Sequence, residues 1–173
     1  GMAIILGIDP GSRVTGYGVI KAHGNRLEFL ACGVVRAGMK SHAERLKKIF
    51  DGVSGVIQEH NPTEVAIEEV FVGRNASSAL KLGQARGAAM TACLQFNLCI
   101  AEYSARSVKS AVTGSGGAEK HQVQHMVRTI LNFTGELLED AADGLAIAIC
   151  HANTSENLIR LAGAKSFSRK RLR

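Results

Sequence analysis

Met2-Ala3-Ile4-Ile5-Leu6-Gly7-Ile8 is an unbroken apolar run that ends on a carboxylate, Asp9, and a turn, Pro10-Gly11. A short continuous apolar run closed by turn residues predicts a strand covered on both faces. Such a strand has no cheap place for a charge. Asp9 must be neutralised, hydrogen-bonded or bound to a cation. If a cation is the answer, other acids must converge on Asp9 from elsewhere in the chain.

The next segments are strand-like. Thr15 to Lys21 and Arg26 to Val35 follow tight turns, with Leu27, Phe29 and Ala31 expected on one face. Three successive strands predict an antiparallel meander. The period then changes. Ala43, Leu46, Ile49, Phe50, Val53, Val56 and Ile57 recur at three and four, which predicts a helix over 41–60, capped by Ser41 with Glu44 and stopped by Asn61-Pro62. A strand is expected over 63–71, a helix rich in small residues over 77–96, and a strand over 98–103. Ser104 caps a short helix to about 112. A glycine-rich loop, a helix over 118–131 and a last helix over about 138–155 follow. This order predicts a mixed α/β sheet flanked by helices. With 173 residues and no long linker, one domain is expected over 1–156, followed by a basic, flexible tail over 157–173 that ends Arg169-Lys170-Arg171-Leu172-Arg173.

The last helix carries the sharpest chemical signal. Asp140-Ala141-Ala142-Asp143-Gly144-Leu145-Ala146-Ile147-Ala148-Ile149-Cys150 is apolar nearly all round, so it should be buried. Two aspartates three residues apart share one face, with Cβ atoms roughly 5–6 Å apart. A helix start favours carboxylates, so one Asp would need no further explanation. Two on a buried helix do. Val65-Ala66-Ile67-Glu68-Glu69 adds another source. Alternation along a strand sends Glu68 and Glu69 to opposite faces, one toward the site and the other toward solvent or a partner. Clustered carboxylates raise one another's pKa, and divalent cations relieve that conflict. Mg²⁺ takes such oxygen ligands, and two ions can clamp the attacking and leaving oxygens of a phosphodiester.

Gly7-Ile8-Asp9-Pro10-Gly11 with Thr15-Gly16-Tyr17-Gly18, Ala66 to Phe71, Ser78 to Gly87, Ala118-Glu119-Lys120 with Gln122-Val123-Gln124, and Asp140-Ala141-Ala142-Asp143 occur in the order seen in the RuvC family of Holliday-junction resolvases. The resemblance runs from Met2 to about His151. It implies a ribonuclease H-like fold with a five-stranded sheet, and an endonuclease that resolves four-way DNA junctions in recombination and repair by paired symmetric nicks. It also implies two Mg²⁺ ions per site, with Mn²⁺ as an alternative, and a homodimer that cooperates with a branch-migration motor. The family's four catalytic, metal-binding acids fall on Asp9, Glu68, Asp140 and Asp143. Glu69 departs from the family, in which an amide is common there.

The resemblance further implies that Phe71 wedges between bases at the junction centre, and such wedges unstack a step. Arg74 lies beside phosphates, and Lys109 and Lys120 approach the scissile phosphate, where an ammonium stabilises developing charge. Lys81 and Arg86 on the next helix are further candidate DNA contacts, Lys81 reading equally as solvated surface, and Arg13 after the Asp9 turn is a candidate phosphate contact. His121 and His125 read as helix-surface histidines. The small-residue face of the 77–96 helix is the expected dimer surface.

A net charge of +6 favours an anionic partner. No stretch reaches the ~20 apolar residues of a membrane span. The scattered Cys32, Cys93, Cys99 and Cys150 and the lack of a basic leader favour a reduced, cytoplasmic setting. Two rivals remain. One is a junction-binding protein without cleavage. The other is a fragment of an actin-like or sugar-kinase ATPase, whose phosphate loop Gly7 to Gly11 also resembles, although 173 residues leave no room for the second domain such enzymes need.

Overall fold

The computed structural model describes residues 1–70 and 75–171. The chain forms β1 (Met2–Asp9), β2 (Val14–His23), β3 (Arg26–Arg36), α1 (His42–His60), β4 (Glu64–Glu68), α2 (Ala76–Gln95), β5 (Ile100–Tyr103), α3 (Ala105–Thr113), α4 (Lys120–Ile130) and α5 (Glu139–Arg171). The strands make one mixed sheet in the order β3-β2-β1-β4-β5. β1, β2 and β3 pair antiparallel, while β4 and β5 add parallel to β1. This is the five-stranded mixed sheet expected, with helices on both faces.

The alternation of β1 decides which helices cover which face. Ile5 packs with Val108, Val123, Val127 and the apolar body of α5. Leu6 and Ile8 point the other way, into Ile49, Val53, Ile57, Ala85 and Ala89 of α1 and α2. The core is therefore two layers, one under α1 and α2 and one under α3, α4 and α5. β3 switches faces partway. The β2–β3 register jumps between Val19 and Ile20, which pair with Ala31 and Phe29, so Leu30 is an extra residue. Leu27 and Phe29 pack on the α5 side and Ala31 on the α1 side. These three residues do not share a face as expected, because one inserted residue reverses the parity of everything beyond it.

Local chemistry sets most helix starts. The Ser41 hydroxyl accepts from the Glu44 N–H at 3.3 Å, Ser104 accepts from Ser107, and Asn75 accepts from Ser77 and Ser78. α5 continues well past the expected end near Ser155, to Arg171. Residues 156–171 contain no proline and only one glycine, so nothing in them forces a stop.

α5 lies unusually close to the sheet. A Cβ at Gly7 would sit 2.1 Å from the Gly144 carbonyl oxygen, one at Gly16 would sit 1.9 Å from that of Asp140, and one at Gly18 would collide with Leu145. From the helix side, a Cβ at Gly144 would lie 2.6 Å from the Tyr17 backbone. Three strand glycines thus form a groove that receives the first turns of α5, and Gly144 completes the fit. The helix axis comes near enough for its N-terminal carboxylates to reach the end of β1.

Candidate active site

β1 ends at Asp9, and Asp9 shares the face of Ile5 and Gly7, the α5 side. The glycine groove holds α5 so that Asp140 and Asp143 meet it. One carboxylate oxygen from each of Asp9, Asp140 and Asp143 lies within 4.8 Å of the others. Among the described residues this is the one group of three or more such side chains close enough to share a metal ion. Glu68 ends β4, the parallel neighbour of β1. It stands near enough to Asp9 and Asp143 for their charges to interact, but outside that closest trio. Glu69, just past the end of β4, is exposed; its N–H donates to the Tyr103 carbonyl oxygen at 2.7 Å.

The electrostatics show what this proximity costs. Asp9 is pushed up to about 8, first by burial and then by the charges of Asp143, Glu68 and Asp140. Its hydrogen bond with Asp143 raises Asp9 and lowers Asp143, so Asp9 is the protonated donor of the pair. Burial also raises Asp143, against the pull of Lys120. Burial and Asp143 raise Glu68, while Lys109 and Lys120 pull it back. Left to themselves, the carboxylates relieve their repulsion by keeping a proton at Asp9. A divalent cation with hard oxygen ligands would relieve it better, and this donor set, all carboxylate oxygen, suits Mg²⁺ or Mn²⁺.

A cleft of about 580 Å³ opens beside the acids, lined by Glu68, Lys109, Lys120 and Asp143 together with apolar Val108 and Val123. α3 supplies Lys109, and Lys120 is the first residue of α4. Lys120 pairs with Glu139 and lies 3.5 Å from Asp143. The bond to Glu139 is the main cause of its raised pKa, so the ammonium is held firmly charged. Glu139 was missed from the sequence, where only its position ahead of Asp140 hinted at a role.

The other candidates are not gathered here. Arg13 is exposed in the turn after Asp9, and its carbonyl accepts from the Ala37 N–H at 2.8 Å. Lys81 is exposed on α2. Arg86 lies on the α1–α2 side of the sheet, paired with Glu102 and 3.2 Å from the Met90 sulfur. Phe71 and Arg74 fall outside the described residues. His121 and His125 are exposed, and His121 faces Glu119 at 3.4 Å. Burial pushes the Cys93 thiol up to about 12 and that of Cys150 up to about 11, which leaves both chemically quiet. No described helix is long and apolar enough to cross a membrane.

The family model described as crossover junction endodeoxyribonuclease RuvC matches residues 5–151. The protein of that name from Teredinibacter turnerae is 55% identical over 175 residues, covering 98% of this chain and 99% of its own. The Saccharophagus degradans protein is 55% identical over 174 residues and covers 99% of each chain. Among solved structures, Thermus thermophilus RuvC in complex with Holliday junction substrate superposes with a TM-score of 0.83 at 33% identity, covering 89% of this chain and 95% of that one. A yeast mitochondrial Holliday junction resolvase shares the fold, with a TM-score of 0.65 at 13% identity.

Proposed function

This chain belongs to the RuvC family of crossover junction endodeoxyribonucleases, which have a ribonuclease H-like fold, and we propose that it resolves four-way DNA junctions by paired nicks made at the Asp9 cluster. The convergence of Asp9, Asp140 and Asp143 within 4.8 Å carries this reading. These three residues and Glu68 would hold the metal. Bound there, two divalent ions, Mg²⁺ or Mn²⁺, would supply Lewis acidity for hydrolysis of a phosphodiester. The carboxylates fix the place of that chemistry at the end of β1. Lys109 and Lys120, on the wall of the cleft, orient the scissile phosphate and stabilise the charge that grows on its oxygens. Glu139 keeps Lys120 aimed at the cleft. Phe71 and Arg74 engage the junction centre, while Arg13, Lys81 and Arg86 belong to a more distant DNA surface. Arg86 must leave Glu102 to serve there.

Two like-polarity strands of a junction require two sites, so the working unit is a two-fold dimer. α2 supports this assignment. Leu80, Gly83, Gly87 and Leu94 recur at helical spacing on its exposed side, with the two leucines 65% and 58% exposed. A Cβ at Gly83 or Gly87 would meet nothing, so a second helix can approach closely there. Residues 1–156 form the nuclease domain, and the basic end from 157 is an auxiliary segment. The setting is the cytoplasm, with a junction-bound branch-migration motor as partner.

A synthetic four-way junction, a linear duplex and ATP, each offered with and without Mg²⁺, test the reading. Symmetric nicking of the junction only with Mg²⁺ is the expected result. Tight binding with no product would reduce the chain to a junction-binding protein, and ATP hydrolysis would move it to another class.

A further inference from the structure

His151 is buried in α5 at 7% exposure, and among the described residues Thr15 is the only other buried polar side chain. A buried imidazole is costly unless both ring nitrogens are satisfied. Here both are. Nε2 lies 2.9 Å from Glu64 Oε1 at the start of β4, and Nδ1 lies 2.7 Å from the Tyr103 hydroxyl at the end of β5. A carboxylate only accepts, so Nε2 donates to Glu64. The Tyr103 hydroxyl then completes Nδ1, donating to the neutral ring or accepting from the charged one. The Tyr103 and His151 rings also meet edge to face, with centroids 5.7 Å apart.

This chain ties together the elements that carry the acids. From His151 back to Asp143 is eight residues of helix, about 12 Å. From Glu64 forward to Glu68 is four residues of strand, about 13 Å. β4 and α5 therefore run side by side from one pinned end to the acid site, over nearly equal lengths. Tyr103 closes the far side: it registers opposite Glu68 in the sheet, and its carbonyl holds the Glu69 N–H. The rest of the α5 contact is apolar: Gly7, Gly16 and Gly18 receive the helix, and Leu145, Ile147 and Ile149 join Ile5 and Ile20 in the core. That packing sets how closely helix and sheet approach, but apolar contact is non-directional. Hydrogen bonds of fixed length and direction also resist sliding along the helix axis.

We propose that the Glu64–His151–Tyr103 chain, centred on the buried imidazole, is a positioning device that sets the spacing between Glu68 on β4 and Asp140 and Asp143 on α5. His151 and Tyr103 are positioning residues that touch neither DNA nor metal. The inference rests on the acids holding divalent ions, because only such a site is sensitive to carboxylate placement within about 0.5 Å.

The test uses the full chain carrying His151→Leu, Tyr103→Phe or His151→Gln. Mn²⁺ binding is followed by calorimetry, Mg²⁺-dependent nicking under single-turnover conditions, junction binding without metal, and Tm. All assays run well below the lowest Tm. His151→Leu should weaken Mn²⁺ binding about tenfold or more and raise the half-saturating Mg²⁺ for nicking in parallel, as loss of groups that orient metal ligands commonly does. Junction affinity without metal should stay within about twofold. Tyr103→Phe, which removes one hydroxyl and keeps the ring, should give a smaller shift of the same kind. His151→Gln, which keeps a donor for Glu64, should recover part of the loss. If Tm falls while Mn²⁺ affinity and the Mg²⁺ requirement stay at wild-type values, the chain is a stability element only and the proposal is wrong. Should His151→Leu fail to fold, unchanged metal binding in Tyr103→Phe decides against it equally. A wild-type protein that neither binds Mn²⁺ nor nicks would overturn the reading of the acid site itself, and this inference with it.

Discussion

Asp9 is the residue in which burial, repulsion and function meet. Its folded pKa of about 8 stands above the ordinary 3.8, so between those values the folded chain holds a proton that the unfolded chain releases. Stability without metal must then fall as pH rises from about 4 to about 8, by at most about 1.4 kcal/mol per pH unit for one proton. Melting curves from pH 5 to pH 8 in a chelator should show that fall. Added Mn²⁺ should raise Tm more at pH 8 than at pH 5, because the ion and the proton compete for one site. Asp9→Asn should flatten the pH profile, remove the Mn²⁺ effect and abolish nicking while junction binding persists. Lys120 offers a second probe. Lys120→Ala should slow nicking by roughly 10²-fold, the scale for losing one group that stabilises transition-state charge, with junction affinity little changed in a gel-shift titration. The four acids were legible because carboxylates interrupt apolar strings, where a charge needs a reason. The uneven spacing of the quartet, a tight trio with Glu68 outside it, was not legible, because it depends on where β4 and α5 come to rest.

At the scale of elements, the groove beneath α5 has measurable consequences. Gly16→Ala and Gly144→Ala each drive a methyl into backbone that cannot move aside. Each should destabilise by about 1–3 kcal/mol or more, as overpacking does, read as a drop in the urea midpoint. Nicking should fall further than stability does, because the displaced helix carries Asp140 and Asp143. Gly83→Ala on the exposed side of α2, where a Cβ would meet nothing, should instead raise the urea midpoint, because alanine is better than glycine in a helix interior by about 1 kcal/mol. Strand and helix identities followed from period and capping residues such as Ser41 and Ser104. The glycines of β1 and β2 were visible as glycines, but nothing local says that a helix backbone lies over them. The parity change at Leu30 was equally hidden, because one extra residue in a hairpin leaves the apolar pattern looking continuous. The length of α5 escaped because the apolar string breaks at Asn153-Thr154-Ser155-Glu156-Asn157, mostly weak helix formers that read as an end.

Taken whole, the molecule divides its labour between the faces of one sheet. α3, α4 and α5 build the cleft, while α1 and α2 leave Leu80 and Leu94 exposed on the opposite side. Leu80→Asp combined with Leu94→Asp should shift the protein toward monomer in sedimentation and leave the Tm of the protomer within a few degrees. Paired resolution of a junction should fall more steeply than single nicking. An unchanged dimer would place the contact elsewhere. That both faces carry helices followed from the buried run of β1; which helices share a face did not, since it depends on chain crossings that no short stretch records. One consequence reaches back to synthesis. The proposed cutting centre joins the ninth residue to the hundred and forty-third, so a chain emerging from the ribosome carries half of its acids long before the rest. On that assignment, a nascent chain has no means to cut before its last helix is released and settles against the sheet.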